Sequence, residues 1–307
     1  MKRGVKIQAV LLLICLFLPC FFVLFFGRKS QNNRHIYNND YIVLAGKENI
    51  DSEKFLIWAL AAYSEPDNTI EGLKAMAVVL RTNLRKMMAG RNRISAEELG
   101  FSYYIEEELE EIWGRQAFVD NYRKLEKAVL DTENVVITNQ NGEYIDALFH
   151  RVSAGYTREG AYLGEEYSYL CPVESLYDIN APNYMQLVIY NEENVKKLLE
   201  EGLGKTFEVE AKPFVQEIVL QNEDGNYVEK VIICGQEFSA DEIARALKLQ
   251  SPAFSVEEYE GKIRFLVSGI GHGFGLSIYG ANVLAGEGYG FKDILEHYYS
   301  NIIIKYE

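Results

Sequence analysis

The chain has 307 residues, of which 48% are hydrophobic and 25% charged, and this apolar content excludes a disordered protein. That length allows one large domain or two lobes with ample surface burial. Its 31 basic and 45 acidic residues give a formal net charge of −14. Six of the basic residues lie within residues 1–35, which contain no acid, so the rest of the chain is more acidic still. Such a body lacks the positive footprint needed to bind nucleic acid.

From Ile7 to Phe26 the chain reads IQAVLLLICLFLPCFFVLFF. Twenty largely apolar residues match the hydrocarbon thickness of a bilayer, and no small-residue cleavage site follows them. The expectation is a cell-membrane protein with a single-pass anchor. Residues 1–6 are a short cytoplasmic tail, 7–27 the transmembrane helix, 28–50 a polar juxtamembrane stalk, and 51–307 an extracytoplasmic body. Cys15 and Cys20 fall in the anchor; Cys171 and Cys234 could pair, but two cysteines make no disulfide framework.

Past the stalk, residues 52–64 predict a short apolar helix. Thr69 predicts the cap of a longer one running to Ala89, with Leu73, Met76, Ala77, Leu80, Leu84 and Met87 on its buried face. Helices are also expected at 104–113, 119–131, 192–202, 239–247 and 291–299. Strand patterns occupy 134–138, 144–150, 185–190, 215–220, 228–234 and 262–267, with turns at Asn141–Gly142 and Asp224–Gly225. There is no regular β-α-β alternation and no internal repeat. The fold class this indicates is α+β, a two-lobed body with a substrate groove.

Four segments could carry chemistry. In TIEGLKAMAVVLRT (69–82), Glu71 occupies a helical first turn, where the macrodipole favours an ionised carboxylate; catalysis by a protonated Glu71 would require burial to outweigh that dipole. In LFHRVSAGYT (148–157), His150 and Ser153 are either a reactive pair or a polar turn that satisfies its own backbone. In SGIGHGFGLSIYGA (268–281), glycines alternate around His272, giving either a bend or a bare surface that a flat ligand could approach; Ser277 and Tyr279 follow. The spacing fits neither a dinucleotide fingerprint, a P-loop nor a nucleophile elbow. CGQEFSADEIARALKLQSPAF (234–254) reads as scaffold.

In their order, these segments resemble the SpoIID/LytB family. IEGLKAMAVVLRTN is similar to its P-E-A-L-K-A-Q-A-V-A-A-R-T-Y helix, HRVSAGYT to its H-S-T-S-G-G-x-T turn, and YLCPVESLYD to Y-L-x-x-V-x-S-P-x-D. Residues 235–254 are similar to G-x-E-x-R-x-x-L-x-L-x-S-x-x-F, and GIGHGFGLSIYGA to G-x-G-H-G-V-G-M-S-Q-Y-G-A. The likeness covers roughly residues 52–300. It implies a lytic transglycosylase that cleaves MurNAc–GlcNAc bonds of peptidoglycan to 1,6-anhydromuramyl ends, in septal wall degradation and engulfment during sporulation. Glu71 takes the family's catalytic position. Lys74, Arg81, His150, Ser153, His272, Ser277 and Tyr279 are the expected substrate-binding residues. The implied partners are peptidoglycan glycan strands, a peptidoglycan amidase and a membrane protein of an engulfment complex.

Met76 and Ile278 stand where the family has Gln, Asn83 where it has Tyr, and Ala154 where it has Gly. These departures leave room for the alternative of a non-catalytic wall-binding or amidase-modifying protein. Some members bind zinc through cysteines near the histidine turn; residues 151–170 contain none, so no metal or other cofactor is expected.

Overall fold

A computed structural model describes residues 40–206, 215–221, 226–233 and 235–307. Residues Asn39–Glu307 make one compact unit rather than two separate lobes. The membrane expectation is corrected on one finding: among the described residues, no helix is long and apolar enough to cross a membrane. The stretch 7–26 that suggested a single-pass anchor lies outside the described residues, as do Cys234 and the Asp224–Gly225 turn. Cys171 is a free thiol.

The body opens with strands β1 (Ile42–Ala45) and β2 (Glu48–Asp51). Part of the segment expected as stalk is thus folded: β1 pairs antiparallel with β2 and parallel with β3 (Arg93–Ser95). Helix α1 (Ser52–Ala62) starts where the Asp51 carboxylate accepts the Glu53 N–H at 2.8 Å. Helix α2 (Ile70–Met88) is capped by Thr69 and ends at Ala89 in the left-handed region. Of its predicted stripe, Leu73, Met76, Ala77, Leu80 and Leu84 are buried but Met87, in the last turn where no element covers it, is exposed; α2 is the central rod of this half of the body. Around it pack α1, a helical segment α3 (Glu106–Asp131) broken at Gly114, and β4 (Val135–Thr138).

Residues 185–268 contain a second apolar core. Strand β6 (Met185–Asn191) forms the edge of a sheet of order β10-β11-β6, with β10 at Phe254–Tyr259 and β11 at Lys262–Ser268. A second antiparallel sheet joins β7 (Val215–Leu220), β8 (Val228–Ile233) and β9 (Gln236–Ser239). Helices α4 (Glu192–Leu203) and α5 (Ala240–Ala246) contribute Val195, Leu199 and Ile243 to this core beside Phe238 and Phe265.

Two extended segments pack side by side to build the site. Strand β5 (Phe149–His150) runs parallel to β12 (Leu276–Ser277), with His150 opposite Ser277. Single bridges continue the pairing from Val152 to Ile270 and from Arg158 to Phe274. The expected strand over 144–150 shrinks to these two residues and one bridge from Tyr144 to Thr138. Helix α6 (Ile278–Gly286) begins directly after β12, capped by the Ser277 hydroxyl, and α7 (Phe291–Tyr298) and β13 (Ile303–Tyr306) close the chain.

The alternating glycines serve packing against the protein itself. A Cβ on Gly275 would lie 2.0 Å from the Leu148 carbonyl oxygen, and one on Gly273 would lie 2.3 Å from the Tyr227 ring. Both have positive φ, 69° and 83°, so both close approach and backbone shape require glycine.

Candidate functional site

Two adjoining cavities of about 610 and 340 Å³ share Tyr63, Glu65, Arg151 and Ile278 in their walls. Together they form a groove of a size that holds a small ligand or several sugar rings. Residues after α1, the turn after β5 and the start of α6 supply these side chains. The larger cavity adds Asp67, Asn68, Val152, Asn183 and Tyr279; the smaller adds Phe149, His150, Gly271 and His272.

Glu65 sits in the turn between α1 and α2, where its own N–H is held by the Asn68 side chain. Its carboxylate meets Arg151 at 2.6 Å, and both side chains are well exposed, at 62% and 65%. An exposed pair of this kind is worth at most about 1 kcal/mol, so a ligand entering the groove can displace it.

His150 is buried, and its Nδ1 donates to the Phe274 carbonyl at 3.1 Å. That bond leaves Nε2 with the lone pair, and Nε2 is buried with no hydrogen-bond partner among the described residues. Burial first, and then the neighbouring His272, push the His150 pKa down to about 3, so the ring is neutral. The rings of His150 and His272 lie 5.8 Å apart. His272 accepts the Phe274 N–H at Nδ1, and burial followed by the charge of Arg158 also lowers its pKa. The groove thus presents neutral imidazoles and two exposed carboxylates, Glu65 in both cavities and Asp67 in the larger one only.

The predicted site residues separate into three groups. His150, His272 and Tyr279 line the groove. Ser153 and Ser277 are buried behind it: Asp178 Oδ2 accepts the Ser153 N–H at 2.6 Å, the Ser153 hydroxyl accepts the Gly155 N–H, and the Ser277 hydroxyl accepts the Gly280 N–H. The third group lies along α2. Glu71 is absent from the walls of both cavities; its carboxylate accepts from Lys74 Nζ at 2.8 Å and from the Phe291 N–H at 2.9 Å. Burial pushes the Glu71 pKa up, but those two bonds and the Lys74 charge outweigh it and hold the pKa below the ordinary range. Lys74 is occupied by Glu71 and by Asp131 at 3.1 Å. Arg81 is fully buried, tied to Glu53 at 2.6 Å and to the Val129 and Val135 carbonyls, and holds α2 to its neighbours.

Sequence reasoning passed over Glu65, Arg151 and Asp178. Ser64–Glu65–Pro66 reads as an exposed turn, and only the groove reveals what it faces. Arg158 was missed as well: it is buried, pairs with Asp241 at 2.8 Å, donates to the His272 carbonyl at 3.0 Å and lies over the Phe274 ring. It locks the histidine segment to α5.

Among the described residues, no group of three or more His, Cys, Asp or Glu side chains could hold a metal ion. Residues 44–139 match the family model SpoIID, described as stage II sporulation protein. The chain is 29% identical over 266 residues to stage II sporulation protein D of Bacillus amyloliquefaciens, covering 84% of this chain and 75% of that protein. It is 28% identical over 261 residues to the protein of the same name from Bacillus subtilis strain 168, covering 82% and 74%.

Proposed function

We propose, from the premise that the chain resembles the SpoIID family along most of its length, that it is a sporulation protein acting on the cell wall as a peptidoglycan lytic transglycosylase. Glycan strands are its substrate, and a wall amidase and an engulfment membrane protein are its partners. The observation that carries the reading is the position of Glu65, whose side chain borders both halves of a groove long enough for adjacent sugars.

In this reading Glu65, rather than Glu71, is the acid/base. A hydrolase that delivers water to the anomeric carbon generally needs two carboxylates flanking the bond. A transglycosylase can work with one. The protonated Glu65 gives its proton to the glycosidic oxygen as the C–O bond breaks. The resulting carboxylate then accepts the proton of the sugar's own 6-hydroxyl as that oxygen closes on C1. Atoms balance without water, and the product carries an anhydro end. Tyr279 supplies an aromatic face to one half of the groove, and the His272 ring borders the other. In the empty groove Arg151 pairs with the Glu65 carboxylate; the incoming strand displaces Arg151 and desolvates the acid, which takes up a proton from solvent before the first cleavage and is left protonated after each one.

Ile278 favours the second reading, a wall binder that does not cut. It lines both cavities where the family pattern has an amide, and a polar sugar contact is lost there. Digestion of peptide-free glycan strands with the purified protein, read by mass spectrometry, separates the two. Anhydromuramyl ends, one water lighter than reducing ends, are expected. Intact strands that nevertheless co-sediment with the protein would establish the binder.

A further inference from the structure

A third cavity, of about 370 Å³, lies on the other side of α6 from the Ile278 wall of the groove, lined by Gly280, Leu284 and Glu287 of that helix and its cap. Opposite them stand Glu174, Tyr177, Tyr289, His297 and Tyr298. Two carboxylates therefore line it, and no lysine or arginine does. Each carboxylate is engaged by a tyrosine hydroxyl, Glu174 by Tyr156 at 3.1 Å and Glu287 by Tyr177. Tyr177 and Tyr289 are 43% and 49% exposed, so their ring faces are available to a ligand. The C-terminal end of α6, with Glu287 as its cap, also belongs to this wall.

We propose that this cleft binds a primary alkylammonium group, presented by a peptide side chain. Three independent features favour a compact positive charge. The two carboxylates have no cationic neighbour in the cavity walls. The tyrosine faces carry negative quadrupole potential that attracts a cation. The helix C-terminus adds partial negative charge from its last carbonyls. A metal ion fits poorly, because the described residues hold no group of three or more acidic, histidine or cysteine side chains in ligating reach. A neutral sugar would stack on the tyrosines but leave both carboxylates without a charge partner. The volume suits one side chain rather than a polymer. Gly280 is integral to the cleft, since a Cβ there would lie 2.2 Å from the Tyr298 hydroxyl and 2.4 Å from Ser175 Oγ.

The proposal does not depend on glycan cleavage, because a chain that cuts nothing can still bind the ammonium. The test is titration of the full chain with Nα-acetyl-lysine N-methylamide, followed by ligand-observed NMR. Saturable binding is expected, with affinity falling about tenfold or more in Glu287→Gln and in Tyr289→Leu. The Nε-acetylated probe should not bind, and Glu65→Gln should bind the ammonium probe as the unmodified chain does. Circular dichroism of both cleft variants identifies any loss through unfolding, and either folded variant decides the matter. Equal binding of the two probes, undiminished binding in a folded cleft variant, or no saturable binding by the unmodified chain would overturn the proposal. So would saturable binding of neutral chitotetraose that displaces the ammonium probe.

Discussion

Glu65 and Arg151 meet at 2.6 Å where the two halves of the groove join, the acid from the turn after α1 and the base from the turn after β5. No sequence spacing connects them; they stand 86 positions apart. In the proposed reading Glu65 is the acid/base because it borders both halves of the groove, whereas Asp67 borders only the larger. Glu65→Gln should lower glycan cleavage by about 10²–10⁴-fold while leaving strand binding intact. Glu71→Gln should keep most of the activity and cost about 1 kcal/mol or less, since its bond to Lys74 is partly solvated. Counting anhydro ends released by the two variants discriminates; the reverse pattern would restore Glu71 as the acid/base.

Arg81 is predicted to matter for folding and not for sugar binding. Among the described residues, replacing it by Met removes the one cation hydrogen-bonded to Glu53, because Arg85 lies 3.8 Å away. A buried carboxylate that loses its partner typically costs about 3–5 kcal/mol. Urea unfolding should report a loss of that order for Arg81→Met, and Glu53→Gln in the same chain should recover part of it. An unchanged midpoint would mean that Glu53 finds water or another donor.

The difference between α2 and the groove explains what the sequence could convey. The stripe from Leu73 to Leu84, the Thr69 cap and the left-handed stop at Ala89 are local signals, each set by helix geometry, and the structure follows them. The same regularity drew attention to Glu71 and Arg81, whose side chains are engaged by Lys74 and the Phe291 N–H, and by Glu53. His150, His272 and Tyr279 were legible because they sit in unusual polar or glycine-rich turns. Glu65 was not, since an acid beside proline in a loop is common and its significance arises only when residues 149–152 and 270–279 fold against it. Likewise β1 is a four-residue apolar run, Ile42–Ala45, at the end of a polar stretch, and it acquires meaning only when Val43 is buried opposite Ile50 of β2 and Ile94 of β3.

Gly275 and Gly46 offer a paired test of why glycines alternate near His272. Both have positive φ, 69° and 60°, so alanine strains the backbone at either position. At Gly46 nothing lies within 4 Å of the added Cβ, and the cost should be about 1 kcal/mol. At Gly275 the Cβ would meet the Leu148 carbonyl at 2.0 Å, forcing β12 away from the turn before β5. Gly275→Ala should therefore cost at least about 3 kcal/mol and distort the His150 wall. Thermal unfolding that ranks the two variants equally would show that the segment is looser than its packing indicates.

His150 should make the protein acid-sensitive in a defined direction. Its folded pKa, about 3, lies below the ordinary histidine value, because burial excludes the charged form. The unfolded chain therefore binds a proton at about pH 6.5 that the folded chain refuses. Stability from the neutral ring is complete above that pH and is lost as pH falls, by about 1.4 kcal/mol per unit for this single group. His272, lowered in the same direction, adds to the slope. Asp178 opposes it, since burial raises its pKa and the folded state takes up its proton more readily. His150→Asn isolates the histidine's share: the Asn side-chain amide can still donate to the Phe274 carbonyl, but it does not titrate. Urea unfolding between pH 7.5 and 5 should give a steeper loss in the unmodified protein than in His150→Asn, the difference approaching about 2 kcal/mol at the acid end. Equal slopes would mean that the unpartnered Nε2 already accepts a proton in the folded state, and that the ring is charged when a glycan strand arrives.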